Sequence, residues 1–403
     1  MRQVKVLSLV FLILLLAACQ QDNEVKVVNE SSEETEEVEA EETVEEVNPH
    51  EGKETKPVSE IEKNELYRWE IDAEKVVVLT KKTGEIQEND APSMIGEEGD
   101  RLFDGVAELY LVYEEEEEGY LEDTIELYLL NLDRPFADSY SFAEGSILDL
   151  FQSESSNLRS HRTWYFANEQ LNQVTFEDET ELISTNNKFK FIDDVYMQSY
   201  VYDNAGMGEY GVGWHFHTWE WDSDDFTFTN FAHKAYTDDE EFGWETGEFM
   251  VEEWNEFEDA FIPFPRLTLT KKDIKLIEKG SLIDKSIKLG DSVDKLKRQH
   301  EGETDYLLED YYNGAALISY SPHFSYLYDE ADKGIVSILL AGDALTNDVA
   351  SIRELLGEPT VSEFSDMDNI YFEEFTIENK VLTMNYDENQ VISLQLSTKL
   401  MKE

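Results

Sequence analysis

The C-terminal part of the chain carries one pattern twice. Residues 326–340, YLYDEADKGIVSILL, align with residues 384–396, MNYDENQVISLQL. Tyr328-Asp329-Glu330 falls on Tyr386-Asp387-Glu388, and Val336-Ser337-Ile338 falls on Ile392-Ser393-Leu394. Upstream, GDSVDKLKRQHEG and TNDVASIRELLGEP also correspond, Val293 with Val349 and Leu296 with Ile352. The offsets run from 56 to 58 residues, so one unit is used twice. A unit that small buries little core alone. The pattern therefore predicts two copies joined edge to edge, each a helix followed by about three strands, with both helices on one face. The opposite face is then left to solvent or to a partner.

The helices announce their own ends. In each copy a Ser, Asp or Asn precedes apolar residues spaced three and more apart, as a capped amphipathic helix requires. Gly357 stops the second helix and Pro359 forbids its return. A further capping box, Thr270-Lys271-Lys272-Asp273, predicts a short helix ending near Gly280.

This arrangement, with ELLGEP after a capped helix, resembles the YjgB-like domain of unknown function found in Gram-positive lipoproteins. It is similar, too, to the tandem-repeat fold of the β-lactamase inhibitor protein. The resemblance spans about residues 280–398 and is carried by Gly290, Val293, Leu296, Val349, Ile352, Leu355, Leu356, Gly357, Pro359 and the two Tyr-Asp pairs. These are structural positions, so the resemblance implies a fold and no activity; inhibition of a β-lactamase is not implied. The first copy departs from it, with His300-Glu301-Gly302 where the second has Leu356-Gly357-Glu358-Pro359.

Residues 63–265 read mainly as antiparallel β. In VAELYLVY, Ala107, Leu109, Leu111 and Tyr113 alternate with Glu108, Tyr110 and Val112, the period of a strand. Pro263-Phe264-Pro265 punctuates the end of this region. The expected fold class is α+β: a mainly antiparallel β middle domain plus a C-terminal duplicated helix-plus-three-strand domain. The expected divisions are 1–18, a lipoprotein signal peptide; 19–62, an acidic disordered tether; 63–265, the β-rich domain; 266–282, a linker helix; and 283–403, the tandem repeat.

The start of the chain predicts where the rest is held. Arg2 and Lys5 precede an apolar run, 6–16, too short to span a bilayer. Leu16-Ala17-Ala18-Cys19 then looks like a bacterial lipobox, and Cys19 is the only cysteine. That resemblance implies cleavage before Cys19 and acylation of its thiol (palmitate among the expected chains), since two chains suffice for stable anchoring. The expected location is the outer face of the cell membrane. Residues 30–46 hold ten glutamates and no base, and aromatic residues are absent from 20 to 66. Such a segment repels itself and has nothing to bury, hence the tether.

A net charge of −59 excludes nucleic acid as a partner. It suits an acidic exterior in a salty medium, or attraction for cations. One segment reverses the sign: 266–298 holds ten basic and five acidic residues. It is expected to dock on the acidic middle domain or on an anionic wall polymer.

Candidate site residues concentrate in GWHFHTWEWD. On a strand, His215 and His217 share a face and suit zinc, copper or iron, given a third ligand. His233 is the natural third, but a hairpin turning at 222–225 pairs His215 with Ala232 and His217 with Asn230, which puts His233 on the other side. Trp219 and Trp221 are candidates for stacking on sugar rings, or large core residues. No nucleophile elbow, phosphate loop or HExxH is present, and no cofactor is expected. The sequence thus favours a non-catalytic binding module at the cell envelope, gripping a protein or wall polymer. Two alternatives stay open: a metal-assisted envelope enzyme using the His215/His217 region, and a cation-binding lipoprotein.

Overall fold

A computed structural model describes residues 50–398, apart from 156, 187, 205–210, 239–242, 284–285, 301–306, 313–314 and 366–368. The expected signal peptide, Cys19 and most of the expected tether lie outside the described residues. The chain divides into two compact units between Leu182 and Ile183.

In the first unit, five antiparallel strands lie in the order Thr55–Pro57, Glu118–Asn131, Arg101–Tyr113, Lys75–Glu88, Glu65–Glu70. Val77 pairs with Leu111 and Leu79 with Leu109, so the alternation read in the sequence faces one side. That side packs on a second sheet containing Gly145–Ser153 and Arg159–Ala167, through Leu148, Leu150 and Trp164. The other side is buried as well: Ile61, Val78, Tyr110 and Val112 cluster there beneath the helix Val58–Lys63. The last residues of the stretch expected to be tether are therefore part of a sheet edge and its covering helix.

In the second unit, the strands Lys190–Ile192, Tyr196–Asp203, Gly213–Asp222 and Thr227–Thr237 follow one another antiparallel. The helix Gly243–Glu256 lies on one face, where Trp254 meets Tyr200, Phe216, Tyr236 and Ile262. A buried Gln198 locks that face. Its amide nitrogen donates to Thr218 Oγ1 and the Ile262 carbonyl, and its oxygen accepts from the Ile262 N–H. Satisfying both ends is what makes a buried amide tolerable.

The rest of this unit centres on one eight-stranded antiparallel sheet. Its order is Leu308–Tyr312, Ala315–Ser321, Phe324–Tyr328, Ile335–Ala341, then Gln390–Thr398, Lys380–Asp387, Ile370–Ile377, Val361–Ser365. The two meanders meet at their last strands. Leu339 pairs with Gln395, its own repeat counterpart at an offset of 56, and Ser337 with Ser397 as Ala341 with Ser393. The register therefore turns about a local twofold at Leu339 and Gln395. The helices Val293–Gln299 and Val349–Leu356 pack on one face through Val293, Leu296, Val349 and Ile352. Ser292 and Asp348 cap them, and Thr270 with Asp273 forms the expected box before Lys271–Glu278.

This corrects the expected class. Strands make up 53% of the structure and helices 14%, so the chain is mainly β and not α+β. Each C-terminal half contributes four strands instead of three, and its helix is a short capped turn of chain beside a wide sheet.

Candidate functional site

Two places gather chemistry in the second unit. The first is the hairpin of Gly213–Asp222 and Thr227–Thr237. His217 pairs with His233, and His215 with Ala235, whereas beyond the bend Trp219 pairs with Asn230. Phe231 is the extra residue of a β-bulge. The turn falls one residue later than expected, a shift that alone leaves every side chain on its side. The bulge adds a single residue and brings His233 across to the face of His215 and His217. The expectation that His233 faces away is thus corrected.

Three imidazoles now share a face. His215 Nδ1 lies 3.2 Å from His233 Nε2, and the rings stack at 14° with centroids 5.3 Å apart. His217 and His233 have centroids 4.7 Å apart. The Gly211 carbonyl lies 3.0 Å from His215 Nε2, and a carbonyl only accepts, so that nitrogen carries the proton. The Asn230 amide nitrogen sits 3.2 Å from His217 Nδ1. Burial lowers all three pKa values. At His217 and His233 neighbouring imidazoles add to it, and His217 is pushed down to about 4 and His233 to about 3, whereas at His215 burial outweighs the Gly211 carbonyl and Asp203, which pull the other way. The three rings are therefore neutral at neutral pH. Among the described residues, no group of three or more His, Cys, Asp or Glu side chains is placed to hold a metal ion.

Trp219 is 7% exposed, stacks beside His217 and donates its indole N–H to Ser199 Oγ at 3.0 Å. Its ring is part of the packing. Trp221 is half-buried against Phe228, with centroids 4.8 Å apart. Cys19 lies outside the described residues.

The second place is the eight-stranded sheet's face away from the helices. Ile338, Leu340, Leu394, Leu396, Leu382 and Met384 point to the helices. Their neighbours along each strand point the other way. The register strings these into one row across six strands: Ser319, Ser325, Leu339, Gln395, Thr383, Glu374. Beside it, Gln395 donates to Ser337 Oγ and Asn385 to Ser393 Oγ, each at 2.9 Å. Ser325, Leu339, Gln395, Thr383 and Glu374 are each partly exposed. The row is neutral and hydroxyl- and amide-rich up to Glu374 at its end. The sequence leaves this face to solvent or to a partner but names no residue on it, although Ser337 and Ser393 stand in the aligned positions of the repeat.

No family model and no curated protein matches the chain. Among solved structures it is similar to the crystal structure of a DUF4309 family protein, YjgB from Bacillus subtilis. The TM-score is 0.25 and the identity 10%, over 32% of this chain and 95% of that one. No helix among the described residues is long and apolar enough to cross a membrane.

Proposed function

We propose that this chain is an extracytoplasmic lipoprotein, acylated at Cys19, that holds a neutral, hydroxyl-bearing envelope polymer against the helix-free face of its eight-stranded sheet. The partly exposed row from Ser325 to Thr383 carries this reading. An extended glycan strand offers hydroxyls and amides at intervals, and a row of donors and acceptors across parallel ridges matches such a ligand better than a compact one. The charge supports it too: at −59 the protein repels polyanions, and a neutral face is where a neutral polymer approaches without that cost. Nothing in the row provides a nucleophile with an adjacent base, so the reading is of grip without turnover.

One cell-fractionation experiment tests both halves. Gln395→Arg and Thr383→Arg place bulk and charge in the middle of the row. Each is expected to abolish retention of the full-length chain on insoluble peptidoglycan while leaving its melting temperature within a few degrees. Cys19→Ser is expected to move the protein from the membrane fraction to the medium. Equal retention of the arginine variants would remove the sheet-face reading, and full membrane retention of Cys19→Ser would remove the anchor.

A further inference from the structure

The imidazole cluster lies on another sheet and has no part in that reading. Its geometry contains something a packed histidine pair does not require. His215 donates Nε2–H to the Gly211 carbonyl, which fixes the tautomer and leaves the Nδ1 lone pair directed at His233 Nε2, 3.2 Å away. A metal-bound histidine is usually anchored in this way, its far nitrogen donating to a backbone carbonyl. The separation also fits. Two nitrogens each at about 2.0–2.1 Å from one ion stand roughly 2.9 Å apart at a right angle and 3.4 Å at the tetrahedral angle. The pair can therefore receive an ion once the single proton of neutral His233 moves from Nε2 to Nδ1, a tautomer change with no net loss of a proton, and with little movement of the backbone. The sheet makes this diagonal rigid: His217 and His233 are directly paired, and His215 is the next residue along on the same face.

We propose that His215 Nδ1 and His233 Nε2 form a two-nitrogen chelate for a first-row divalent ion, copper(II) above all, with water in the remaining positions. Two imidazoles and water suit a tetragonal N,O site, and copper(II) heads the affinity order among such ions. Hard ions such as magnesium and calcium prefer the carboxylates that cover the rest of the protein. His217 stands outside the chelate. Its Nδ1 faces the Asn230 amide, and its ring packs between His233 and Trp219.

The test is a copper(II) titration of the full-length chain in excess magnesium, which occupies the carboxylates. Electron paramagnetic resonance then reads the ligands of what is bound. One copper per chain is expected, with splitting from two imidazole nitrogens. His215→Ala and His233→Gln are each expected to weaken binding at least tenfold, and His217→Ala less than threefold. Glutamine at 233 keeps an N–H donor toward His215, so a folded His233→Gln separates lost ligation from lost packing. Undiminished stoichiometric copper in His233→Gln overturns the proposal. So does a wild-type chain whose copper is displaced by magnesium, because that ion then sits on surface carboxylates.

Discussion

Glu108 shows how far a single residue departs from its surroundings. It lies on a strand buried on both faces and is 4% exposed. Burial pushes its carboxyl up, but Lys56 and Lys82 donate to it at 2.7 and 2.8 Å and Tyr110 at 2.8 Å, and together they hold it down at about 2. A folded value below the unfolded 4.5 means that the stabilisation is complete above pH 4.5 and is lost as pH falls through 2. At about 1.4 kcal/mol per unit this is on the order of 3 kcal/mol. Urea unfolding between pH 2 and 5 is expected to show that acid limb in the wild type and a flatter one in Glu108→Gln. Glu108→Gln should also be less stable at pH 7 by roughly 3 kcal/mol, because two lysines lose their buried partner. Parallel acid limbs would remove Glu108 as the cause. Strand alternation in the sequence located this residue, yet its partners could not be read there, Lys56 being 52 positions away. His233 marks the same boundary more sharply. The sequence shows three histidines near one hairpin, but a bulge at Phe231 decides whether they meet, and no local propensity of Phe231 announces it.

Elements were more legible than their edges. Ser292, Asp348 and Thr270 cap the helices that their sequence predicts, because capping is a local exchange between a side chain and nearby N–H groups. The strand that each repeat hides is different. Val361–Ser365 lies at the sheet's edge, largely exposed, and so shows no apolar alternation to read. Missing an edge strand in each half is what made the sheet look too small and the helices too important. The helix Gly243–Glu256 carries a position where two element-scale effects compete. Replacing glycine by alanine inside an exposed helix gains about 1 kcal/mol. At Gly247, however, a Cβ would stand 2.5 Å from Trp214 Cδ1 and 3.0 Å from Tyr236 Cβ. Overpacking of that kind costs about 1–3 kcal/mol. Gly247→Ala is therefore expected to destabilise, by up to about 2 kcal/mol in chemical denaturation. A stabilised variant would mean that the Trp214 ring moves aside freely.

At the scale of the whole molecule, composition spoke clearly about charge and poorly about where folding begins. Residues 50–62 read as tether because they are polar and lack aromatics. Their partners lie far along the chain: Lys53 pairs with Glu122, and Ile61 is fully buried beside Val78 and Tyr110. The charge itself has a consequence that the close ion pairs do not cancel. At a net −59, each compact unit works against its own repulsion, and such repulsion acts over many ångströms. The Debye length falls from about 30 Å at 0.01 M salt to about 3 Å at 1 M, which removes most of it. Short pairs with a buried member, Glu108 with its lysines and Glu373 with Arg353 at 2.6 Å, are screened far less. Added sodium chloride is therefore expected to raise the melting temperature steadily between 0.01 and 0.5 M. Potassium chloride at the same ionic strength should do so equally, since screening does not distinguish the two. Scanning calorimetry decides the matter. A melting temperature that falls with salt would mean that the surface ion pairs outweigh the long-range repulsion, and the acidic exterior would then be a scaffold of local contacts instead of a burden the folded core has to bear.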